Sequence, residues 1–450
     1  MSNRPSPAPA ISSFGVEELP RIAYGRGSYV YDVKGKRYLD GSGGPAVYAI
    51  GHANEEVNAA IEAQLAKIAH AYRYTFTSDA SEELQEIVFA RTGNIFDRII
   101  FVSSGSEAVE SSLKIALQYW TAVGRKSKRR FIARRRSWHG NTLGALSVSD
   151  FKSRRASFEG SLLDVSFVSA ANDYRPAGGV APENLVRHLA DELEAEILRV
   201  GADKIAAFIF EPVVGAAGGV VPAPAGYAKA MQEVCRRHDV LMIADEVMCG
   251  SGRVGTWRAL EPDGVAPDIM TVAKGLAAGY IPLGATLYAR HISEAIQAAH
   301  GGAQTGHTFT GHTAACAAGV AVQKLIAREK LVERVKTRGA TLKEELRKAL
   351  AHIPEVGDVR GRGFFIGIEL VENPDTKAPF PADRHLHSRI GSNAFDRGLI
   401  VYPCTGNVDG VQGDTVIVAP PYNASEDELA EIVGTLTAAI GDAVASARTA

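Results

Sequence analysis

The chain has 450 residues, of which 46% are hydrophobic and 22% are charged. This composition is ordinary for a globular protein and excludes wholesale disorder, and at roughly 100–200 residues per domain the length predicts two or more structural units. The 49 basic and 51 acidic residues give a formal net charge of −2, so the overall charge does not favour nucleic acid or an anionic membrane as a partner.

Signals for a leader, a membrane span or a metal site are weak. Residues 1–10 are rich in Pro, Ser and Ala and lack the apolar centre of a signal peptide, so we expect a disordered lead. No apolar stretch meets the roughly 18 residues that a membrane-spanning helix needs. The four cysteines are far apart and form no Cys-x-x-Cys pair (Cys235, Cys249, Cys316 and Cys404). We therefore expect no metal site, no disulfide framework, no membrane partner and a cytoplasmic location.

The first predicted element is hairpin-like, at residues 23–39. In the middle of the chain, short apolar runs predict strands and amphipathic runs predict helices. We expect strands at residues 98–103, 206–210, 240–244 and 269–273, and helices at residues 107–119 and 227–238. Continuous apolar strands that alternate with helices are typical of a parallel sheet covered on both faces.

Residues 125–136 (RKSKRRFIARRR) form one conspicuous basic run. A nucleic-acid surface needs a basic face combined with aromatic or groove-reading elements. This run spans the end of a helix, a turn and the start of a strand. We therefore interpret it as a solvated surface segment and expect no nucleic-acid partner.

Beyond Thr310 the pattern changes and predicts a smaller α+β unit. Residues 314–350 are mostly helix formers, interrupted by Gly319 and Gly339. The hairpin at residues 23–39 is assigned to this unit. Further strands are expected at residues 357–369, 398–404 and 415–420.

The chain is expected to end in a helix at residues 425–446. Ser425 stands at the N-cap position, and Glu428 follows three residues later. This spacing is typical of a capping box, in which the two side chains satisfy each other's backbone N–H groups.

Four motifs place polar or aromatic residues at the carboxyl ends of predicted strands, where open α/β sheets bind their ligands. The first is Ser103-Ser104-Gly105-Ser106-Glu107, between a strand and a helix. Its small residues and the free N–H groups of the helix N-terminus suit a phosphate, and the hydroxyls of Ser104 and Ser106 can add donors. The alternative is structural, with Ser106 as a simple N-cap.

The second motif is Trp138-His139-Gly140, whose large aromatic residue could stack on a planar cofactor or belong to the core. The third is Asp245-Glu246, at the end of an apolar strand. A carboxylate there must be paired, either in a structural ion pair, with a metal, or with a protonated ring nitrogen. The two carboxylates would point to opposite faces of a continuing strand, so we do not expect a dyad.

The fourth motif is Lys274-Gly275, directly after the strand predicted at residues 269–273. Burial lowers the pKa of a lysine and makes the amine nucleophilic, as Schiff-base chemistry requires. The alternative is a lysine that extends from the strand end to water. Together, a phosphate cradle, an aromatic platform, a carboxylate and a lysine match the needs of pyridoxal 5′-phosphate (PLP).

These residues belong to a wider set of motifs that is highly specific. The set comprises residues 31–41 (YDVKGKRYLDG), 101–110 (FVSSGSEAVE), 138–140 (WHG), 211–213 (EPV), 244–253 (ADEVMCGSGR), 267–275 (PDIMTVAKG), 282–284 (PLG) and 307–312 (HTFTGH). With these motifs the chain resembles the class III (ω-) aminotransferases, which are PLP-dependent enzymes of fold type I. The resemblance runs from about residue 23 to the last helix.

The resemblance implies an α/β fold of the fold type I PLP-dependent transferases. A large domain would be built on a mostly parallel seven-stranded sheet flanked by helices, beside a smaller α+β domain. We place a flexible N-terminal lead at residues 1–22, a segment packing with the small domain at 23–50, the large PLP-binding domain at 51–312, and the small C-terminal α+β domain at 313–450.

The resemblance also implies a role for each matched residue. Lys274 would be the Schiff-base lysine and the base that moves the substrate's proton, and Asp245 would pair with the protonated ring nitrogen. The other cofactor-binding residues are expected to be Ser104, Gly105, Ser106, Trp138, His139, Glu211, Val247 and Thr308.

Within that set, Trp138 and Val247 would lie on opposite faces of the cofactor ring, while Gly105 and Ser106 would hold the phosphate. Thr308 matches the residue that reaches the phosphate of the neighbouring subunit. The resemblance therefore implies a homodimer with Thr308 contributed across the interface.

Two departures from the family pattern concern the substrate. Gly410 stands where many ω-aminotransferases carry the arginine that binds the substrate's carboxylate. Arg154, Arg155 and Arg253 are possible substitutes, and the competing interpretation makes each a surface or structural charge. Val214 stands where many relatives have a Gln that contacts the ring hydroxyl.

A third departure concerns the size of the substrate pocket. Ala46, beside Pro45, stands where relatives that take aryl amines often have Trp. Small residues there predict a roomier pocket, which Tyr48 would line.

The implied activity is that of a PLP-dependent class III transaminase. It would move an amino group from an ω-amino acid or amine to a keto acid such as pyruvate, by a ping-pong mechanism through an external aldimine. Aminomutases, racemases and decarboxylating transaminases use the same fold, and the motifs exclude none of them. An inactive binding module is disfavoured by the intact Lys274 and Asp245, and an NAD-dependent enzyme by the lack of Gly-x-Gly-x-x-Gly after a first strand.

Overall fold

A computed structural model of the chain describes residues 19–449. The disordered lead expected at residues 1–10 lies outside this range, as does most of the expected segment 1–22.

Seventeen strands lie in the described part of the chain. They are β1 (Ile22–Arg26), β2 (Tyr29–Asp32), β3 (Arg37–Asp40), β4 (Arg98–Val102), β5 (Arg130–Arg134), β6 (Val165–Val168), β7 (Ile205–Phe210), β8 (Val213–Val214), β9 (Val221–Pro222), β10 (Leu241–Asp245), β11 (Ile269–Val272), β12 (Gly284–Tyr288), β13 (Val356–Arg362), β14 (Phe365–Leu370), β15 (Leu399–Ile400), β16 (Tyr402–Thr405) and β17 (Asp414–Val418).

Thirteen helices accompany these strands in residues 19–449. They are α1 (Gly43–Ala46), α2 (Glu55–Lys67), α3 (Asp79–Arg91), α4 (Gly105–Ala122), α5 (Leu143–Ser147), α6 (Lys152–Arg155), α7 (Pro182–Val200), α8 (Tyr227–Arg237), α9 (Arg290–His300), α10 (Thr313–Arg328), α11 (Leu331–Leu350), α12 (Leu386–Asp396) and α13 (Glu426–Thr449). Short 3₁₀ turns lie at Ala156–Ser161, Ala177–Gly179, Glu261–Asp263, Lys274–Leu276 and Ala382–Arg384.

The central sheet has seven strands in the order β4-β12-β11-β10-β7-β5-β6, and β12 runs antiparallel to both neighbours. This arrangement confirms the expected mostly parallel sheet. Both faces are covered, because Met242 and Ala244 of β10 enter one buried cluster while Leu241 and Ile243 enter another. Since β4, β5, β7, β10 and β11 are parallel, their carboxyl ends meet at one edge of the sheet.

The chain after α10 builds a second, antiparallel sheet in the order β13-β14-β17-β16. Helices α11 and α12 pack against it. A third sheet joins β1, β2 and β3 to β15, which pairs in parallel with β3. The N-terminal strands therefore share a sheet with the C-terminal part of the chain.

The break in the helical stretch lies at a residue that the sequence did not single out. Gly319 lies inside α10 and Gly339 inside α11, and the chain turns instead at Lys330, whose φ is 51°. Both glycines allow close packing. A Cβ on Gly319 would lie 2.9 Å from the side chain of Leu84, and one on Gly339 would collide with the backbone of Gly363.

The interpretation of the basic run as solvated is wrong for two of its basic residues and for the apolar segment 131–133 between them. Lys128 is buried, and its Nζ donates to the carbonyls of Ala202, Ile205 and Asp239 at 2.6–3.0 Å. Arg134 is fully buried in β5. The three carbonyl acceptors explain how the Lys128 cation is tolerated in the interior. The guanidinium of Arg134 donates to the carbonyl of Glu211 and lies 5.3 Å from the centroid of the Tyr227 ring.

The final helix confirms the expected capping box. The N–H of Ser425 donates to Glu428 Oε2 at 2.7 Å, and the N–H of Glu428 donates to Ser425 Oγ at 3.2 Å. By length and composition alone, α13 is apolar enough to cross a membrane, contrary to the sequence expectation. Its many Ala residues contribute to the mean hydropathy, and its larger apolar side chains, such as Leu429 and Leu436, are fully buried in the protein core.

Candidate active site

A cavity of about 590 Å³ opens at the edge of the central sheet where the parallel strands end. Its size is typical of small-molecule sites. The residues that line it come from all four sequence motifs and from the segments around them: Pro45, Val47, Ser103, Ser104, Gly105, Ser106, Trp138, His139, Gly140, Asn141, Arg154, Glu211, Ala216, Asp245, Val247, Met248, Ala273, Lys274, Gly279, Ile281, Pro282, Leu283 and Tyr402.

Lys274 follows β11 and lines this cavity. Burial lowers the pKa of its amine, while the carboxylates of Asp245 and Glu211 act in the opposite direction. Its backbone has a φ of 44°, in the left-handed region that non-glycine residues avoid. Such strain is tolerated where the surroundings fix the conformation, and it is common at functional sites. The arrangement favours a nucleophilic amine held in one place.

Asp245 ends β10 and is buried. Its Oδ1 accepts from the N–H of Val247 and the hydroxyl of Thr271, both at 3.0 Å, and its Oδ2 lies 2.7 Å from Nδ1 of His139. Three donors therefore fix this carboxylate while it still faces the cavity. Glu246 turns away, and its carboxylate accepts from the N–H of Ala259 at 2.5 Å. The two residues therefore do not form a dyad, and this agrees with the sequence prediction that they would not.

The helix α4 directs its N-terminus at the cavity. Ser104 is the N-cap, since its hydroxyl accepts from the N–H of Glu107 at 3.1 Å, so the structural alternative that made Ser106 the cap is wrong. The N–H groups of Gly105 and Ser106 then belong to the first turn, where a helix has no acceptors of its own. Ser106 Oγ also accepts from the N–H of Asn141 at 2.9 Å, which ties α4 to the Trp138-His139-Gly140 segment.

Glycine is required at two positions of this cradle. A Cβ on Gly105 would lie 2.7 Å from Val247, and one on Gly140, whose φ is 144°, would lie 2.6 Å from Ser106 Oγ. Side chains at either position would therefore displace the groups that face the cavity.

Trp138 and Val247 both line the cavity and are partly buried. The guanidinium of Arg154 lies over the Trp138 ring at 4.7 Å from its centroid. Phe151 approaches the same ring edge-on at 5.8 Å between centroids. Arg154 and Phe151 thus support the indole, and Trp138 still contributes to the cavity wall, where an aromatic ring can contact a planar group.

Glu211 lies in the cavity wall just after β7 and is buried. Its carboxylate accepts from the N–H groups of Trp138 and Gly215, both at 2.9 Å. Desolvation raises the pKa of this carboxyl, an effect that His139 partly opposes. In the described residues Glu211 makes no ion pair with an arginine.

The predicted substrate-pocket residues separate into two groups. Pro45 lines the cavity, whereas Ala46, Tyr48 and Val214 do not. Ala46 is buried in a small apolar cluster, Tyr48 packs on His52 at 4.5 Å between ring centroids, and Val214 pairs with Val221 in a two-stranded ribbon. On the side where Val214 was expected, Ala216 and Met248 form the wall.

The three candidate arginines also differ. Arg155 is structural, because its Nη1 donates to three carbonyls at 2.7–2.9 Å around the end of α5. Arg253 is fully buried beside Tyr422 and does not line the cavity. Arg154 is exposed and lines the cavity.

Thr308 lies on the surface, in the segment that precedes α10, and does not line its own chain's cavity. The structure therefore brings together every predicted cofactor residue except Thr308. That exception is the one residue for which the sequence resemblance implied a role in the partner subunit.

Gln323 is a positioning residue that the sequence reasoning missed. Its amide donates to the carbonyls of Gly275 and Leu276 at 3.1 and 3.0 Å, and its Oε1 accepts from the indole of Trp257 at 2.9 Å. It therefore holds the turn that begins at Lys274. The sequence does contain a signal for this role, because Gln323 is an isolated amide side chain in an alanine-rich, apolar helix.

The residues present fit PLP. A nucleophilic amine, a fixed carboxylate, a helix N-terminus and an aromatic face line one cavity, and the two glycines keep the cradle clear. His139 Nε2 is buried without a partner among the described residues, so the polar wall of the cavity retains unused hydrogen-bonding capacity. The helix N-terminus suits the phosphate of the cofactor, the carboxylate suits its ring nitrogen, and the amine suits its carbonyl carbon.

Comparison with known proteins agrees with this geometry. The class-III aminotransferase family model matches residues 15–440. The uncharacterized aminotransferase YodT of Bacillus subtilis (strain 168) is 41% identical over 414 residues, which cover 92% of this chain and 93% of that protein. Gamma aminobutyrate transaminase 3, chloroplastic, of Solanum lycopersicum is 34% identical over 418 residues, covering 92% and 78%. An amine transaminase from an uncultivated Pseudomonas species, solved in its PLP-bound (internal aldimine) form, has a TM-score of 0.89 at 35% identity and 99% coverage of both chains.

Proposed function

Because this chain belongs to the class III aminotransferases, which are PLP-dependent enzymes, we propose that it transfers the amino group of an ω-amino acid or amine to a keto acid, with pyruvate as the acceptor. The observation that carries the proposal is the placement of Lys274 and Asp245 in one cavity. The similarity to a gamma aminobutyrate transaminase and an amine transaminase supports this class of donor.

Each residue has a distinct task in this proposal. Bound PLP supplies a ring that withdraws electrons from the amino carbon of the substrate. Asp245 would hold the ring nitrogen protonated, and the first turn of α4 would bind the phosphate. Lys274 would hold the cofactor covalently through its amine and would be the base that moves the substrate's proton. Pro45, Ile281 and Leu283 give the cavity an apolar wall.

The same proposal includes a homodimer in which Thr308 reaches the partner's phosphate site. The segments 70–76 and 305–312 lie side by side, since the Tyr74 hydroxyl donates to the carbonyl of Thr305 at 3.2 Å. Together they present four aromatic side chains that are each more than half exposed: Tyr72, Tyr74, Phe76 and Phe309. Exposed apolar patches of this kind mark interaction surfaces, and Thr308 stands among them.

The four cysteines, all buried and unpaired, support a reducing, cytoplasmic location.

The test is the visible spectrum of the purified PLP-loaded enzyme, recorded with a panel of amines and no keto acid. Donors are expected to bleach the visible band of the bound cofactor, and pyruvate is expected to restore it. A band that persists while amino acids exchange their α-proton would replace the proposal with a racemase or aminomutase. A bleached band that other keto acids restore and pyruvate does not would correct the acceptor alone.

A further inference from the structure

Arg154, at the mouth of the cavity, has no anionic partner in the described chain. Its neighbours Arg155 and Arg136 form ion pairs with Glu159 and Asp150 at 3.2 and 2.8 Å. Arg154 instead lies against two aromatic rings, 4.7 Å from the centroid of Trp138 and 5.1 Å from that of Phe151. Arg154 faces the cavity and forms no ion pair with a carboxylate of the described residues, so its charge is available to a carboxylate of a ligand.

Among the described residues, one cationic side chain that faces the cavity is available to bind a substrate carboxylate. Of the described residues that line it, Lys274 and Arg154 are the two lysines or arginines. Lys274 is committed to the cofactor. Much of the remaining wall is apolar, including Val47, Ile281 and Leu283, so a substrate carboxylate that entered would have few other groups to replace its water.

The loop at residues 406–413 cannot supply an arginine from the position that the resemblance suggested. Gly410 has a φ of 92°, which a side chain would strain, and a Cβ there would lie 2.7 Å from the stem of Lys152. The loop is held in this position by Arg136, which donates to the carbonyl of Val408 at 3.3–3.4 Å. Lys152 begins α6, so the loop rests on the helix that carries Arg154.

We propose that Arg154 binds the carboxylate of the substrate and thereby selects amino-acid donors and keto-acid acceptors over plain amines and aldehydes. The guanidinium is positioned by the Trp138 ring and by the side chain of Tyr402, with which it interacts, and its other N–H groups remain for a ligand. These groups can form the paired hydrogen bonds for which guanidinium and carboxylate are matched. The proposal rests on the transaminase function proposed above and identifies the group that recognises its substrate.

The first test compares 4-aminobutyrate with butylamine, which differ by one carboxylate, in the donor half-reaction of the PLP-loaded enzyme. Arg154→Met is expected to lower kcat/KM for 4-aminobutyrate by about 10- to 100-fold, the range of one charged hydrogen-bonded pair, and to spare butylamine. Arg154→Lys, which keeps the charge without the fork, should fall between. Lys152→Met, which removes a cation from the same helix outside the cavity, should match the wild type.

A second readout does not depend on turnover. Calorimetric titration of the PLP-loaded protein with butyrate measures carboxylate binding alone, and Arg154→Met is expected to weaken it at least about tenfold relative to Lys152→Met. Equal butyrate affinity in the two variants, or an equal loss of rate for both donors, would overturn the assignment. A wild-type enzyme that bound butyrate through Arg154 yet transferred no amino group would contradict the proposed function and leave this inference standing.

Discussion

His139 Nδ1 and Asp245 Oδ2 lie 2.7 Å apart, with the two side chains 0% and 3% exposed. The contact joins the segment after β5 to the end of β10, two strands that β7 separates in the sheet. A carboxylate held by an imidazole, a hydroxyl and a backbone N–H cannot rotate away from the cavity. This contact therefore fixes the direction in which the negative charge of Asp245 is presented.

Replacing Asp245 by Asn should keep the cofactor bound and slow the donor half-reaction by on the order of 10²–10³-fold, because a neutral amide does not stabilise a protonated ring nitrogen. Thr271→Val, which removes one donor to the same carboxylate, should cost about tenfold or less. Stopped-flow spectra of both variants at equal PLP content measure the difference. An unchanged rate in Asp245→Asn would exclude the assigned role.

Lys274→Ala should fold but hold PLP without a covalent bond. Borohydride treatment followed by mass spectrometry should show a permanent PLP adduct in the wild type and none in the variant. Lys229→Ala, which removes an exposed lysine from α8, is the control and should behave as the wild type. A reduced adduct on another lysine in Lys274→Ala would assign the chemistry elsewhere.

Mixed dimers test the placement of Thr308. Thr308→Ala and Lys274→Ala subunits should each be impaired alone, the first by weak PLP retention. If Thr308 serves the partner's site, a mixed dimer contains one site with both residues intact, so activity should return to about half of the wild type per dimer. If Thr308 serves its own subunit, no site is intact, and mixing would restore nothing.

The stability of the protein should depend on Glu246. Burial raises the pKa of this carboxyl to about 7, from 4.5. Between these values the folded protein keeps the proton that the unfolded chain releases, so the free energy of unfolding should fall as the pH rises from 4.5 to 7. The Gln side chain of Glu246→Gln has no proton to lose. This variant should therefore lack the fall in the free energy of unfolding, which we expect to be on the order of 2–3 kcal/mol in the wild type.

Urea denaturation at pH values from about 5 to 7.5 measures that slope. The exposed Glu261, changed to Gln, controls for the loss of one carboxylate from the same region. The interpretation fails if Glu246→Gln and the wild type lose stability in parallel across this range.

The capping box of α13 should stabilise the folded protein, so we expect its removal to lower the free energy of unfolding. Ser425→Ala removes the acceptor of the Glu428 N–H and should lower the free energy of unfolding by about 0.5–2 kcal/mol. Ser425→Asp restores an acceptor and should recover most of the loss. Thermal denaturation of the three proteins decides the point, and equal stability of Ser425→Ala and the wild type would refute it.

The sequence predicted the features that depend on short spacings. The carboxyl ends of parallel strands must meet, so Lys274 and Asp245 were expected to share one site, and the reciprocal bonds of Ser425 and Glu428 followed from their separation. Features that depend on the packing of distant segments could not be predicted from the sequence. The burial of Lys128 requires three carbonyls from segments more than 70 residues away. The sequence around Lys128 contains no pattern from which these partners could be predicted.

The position of Gln323 links the turn at Lys274 to a helix that begins at the protein surface. Helix α10 begins at Thr313, directly after the segment that carries Thr308, and Gln323 lies about 15 Å along its axis. A helix of this length moves as a stiff rod, and the amide of Gln323 clamps the turn that starts at Lys274. Helix α10 is thus one continuous connection between the exposed segment that carries Thr308 and the turn that positions the amine of Lys274.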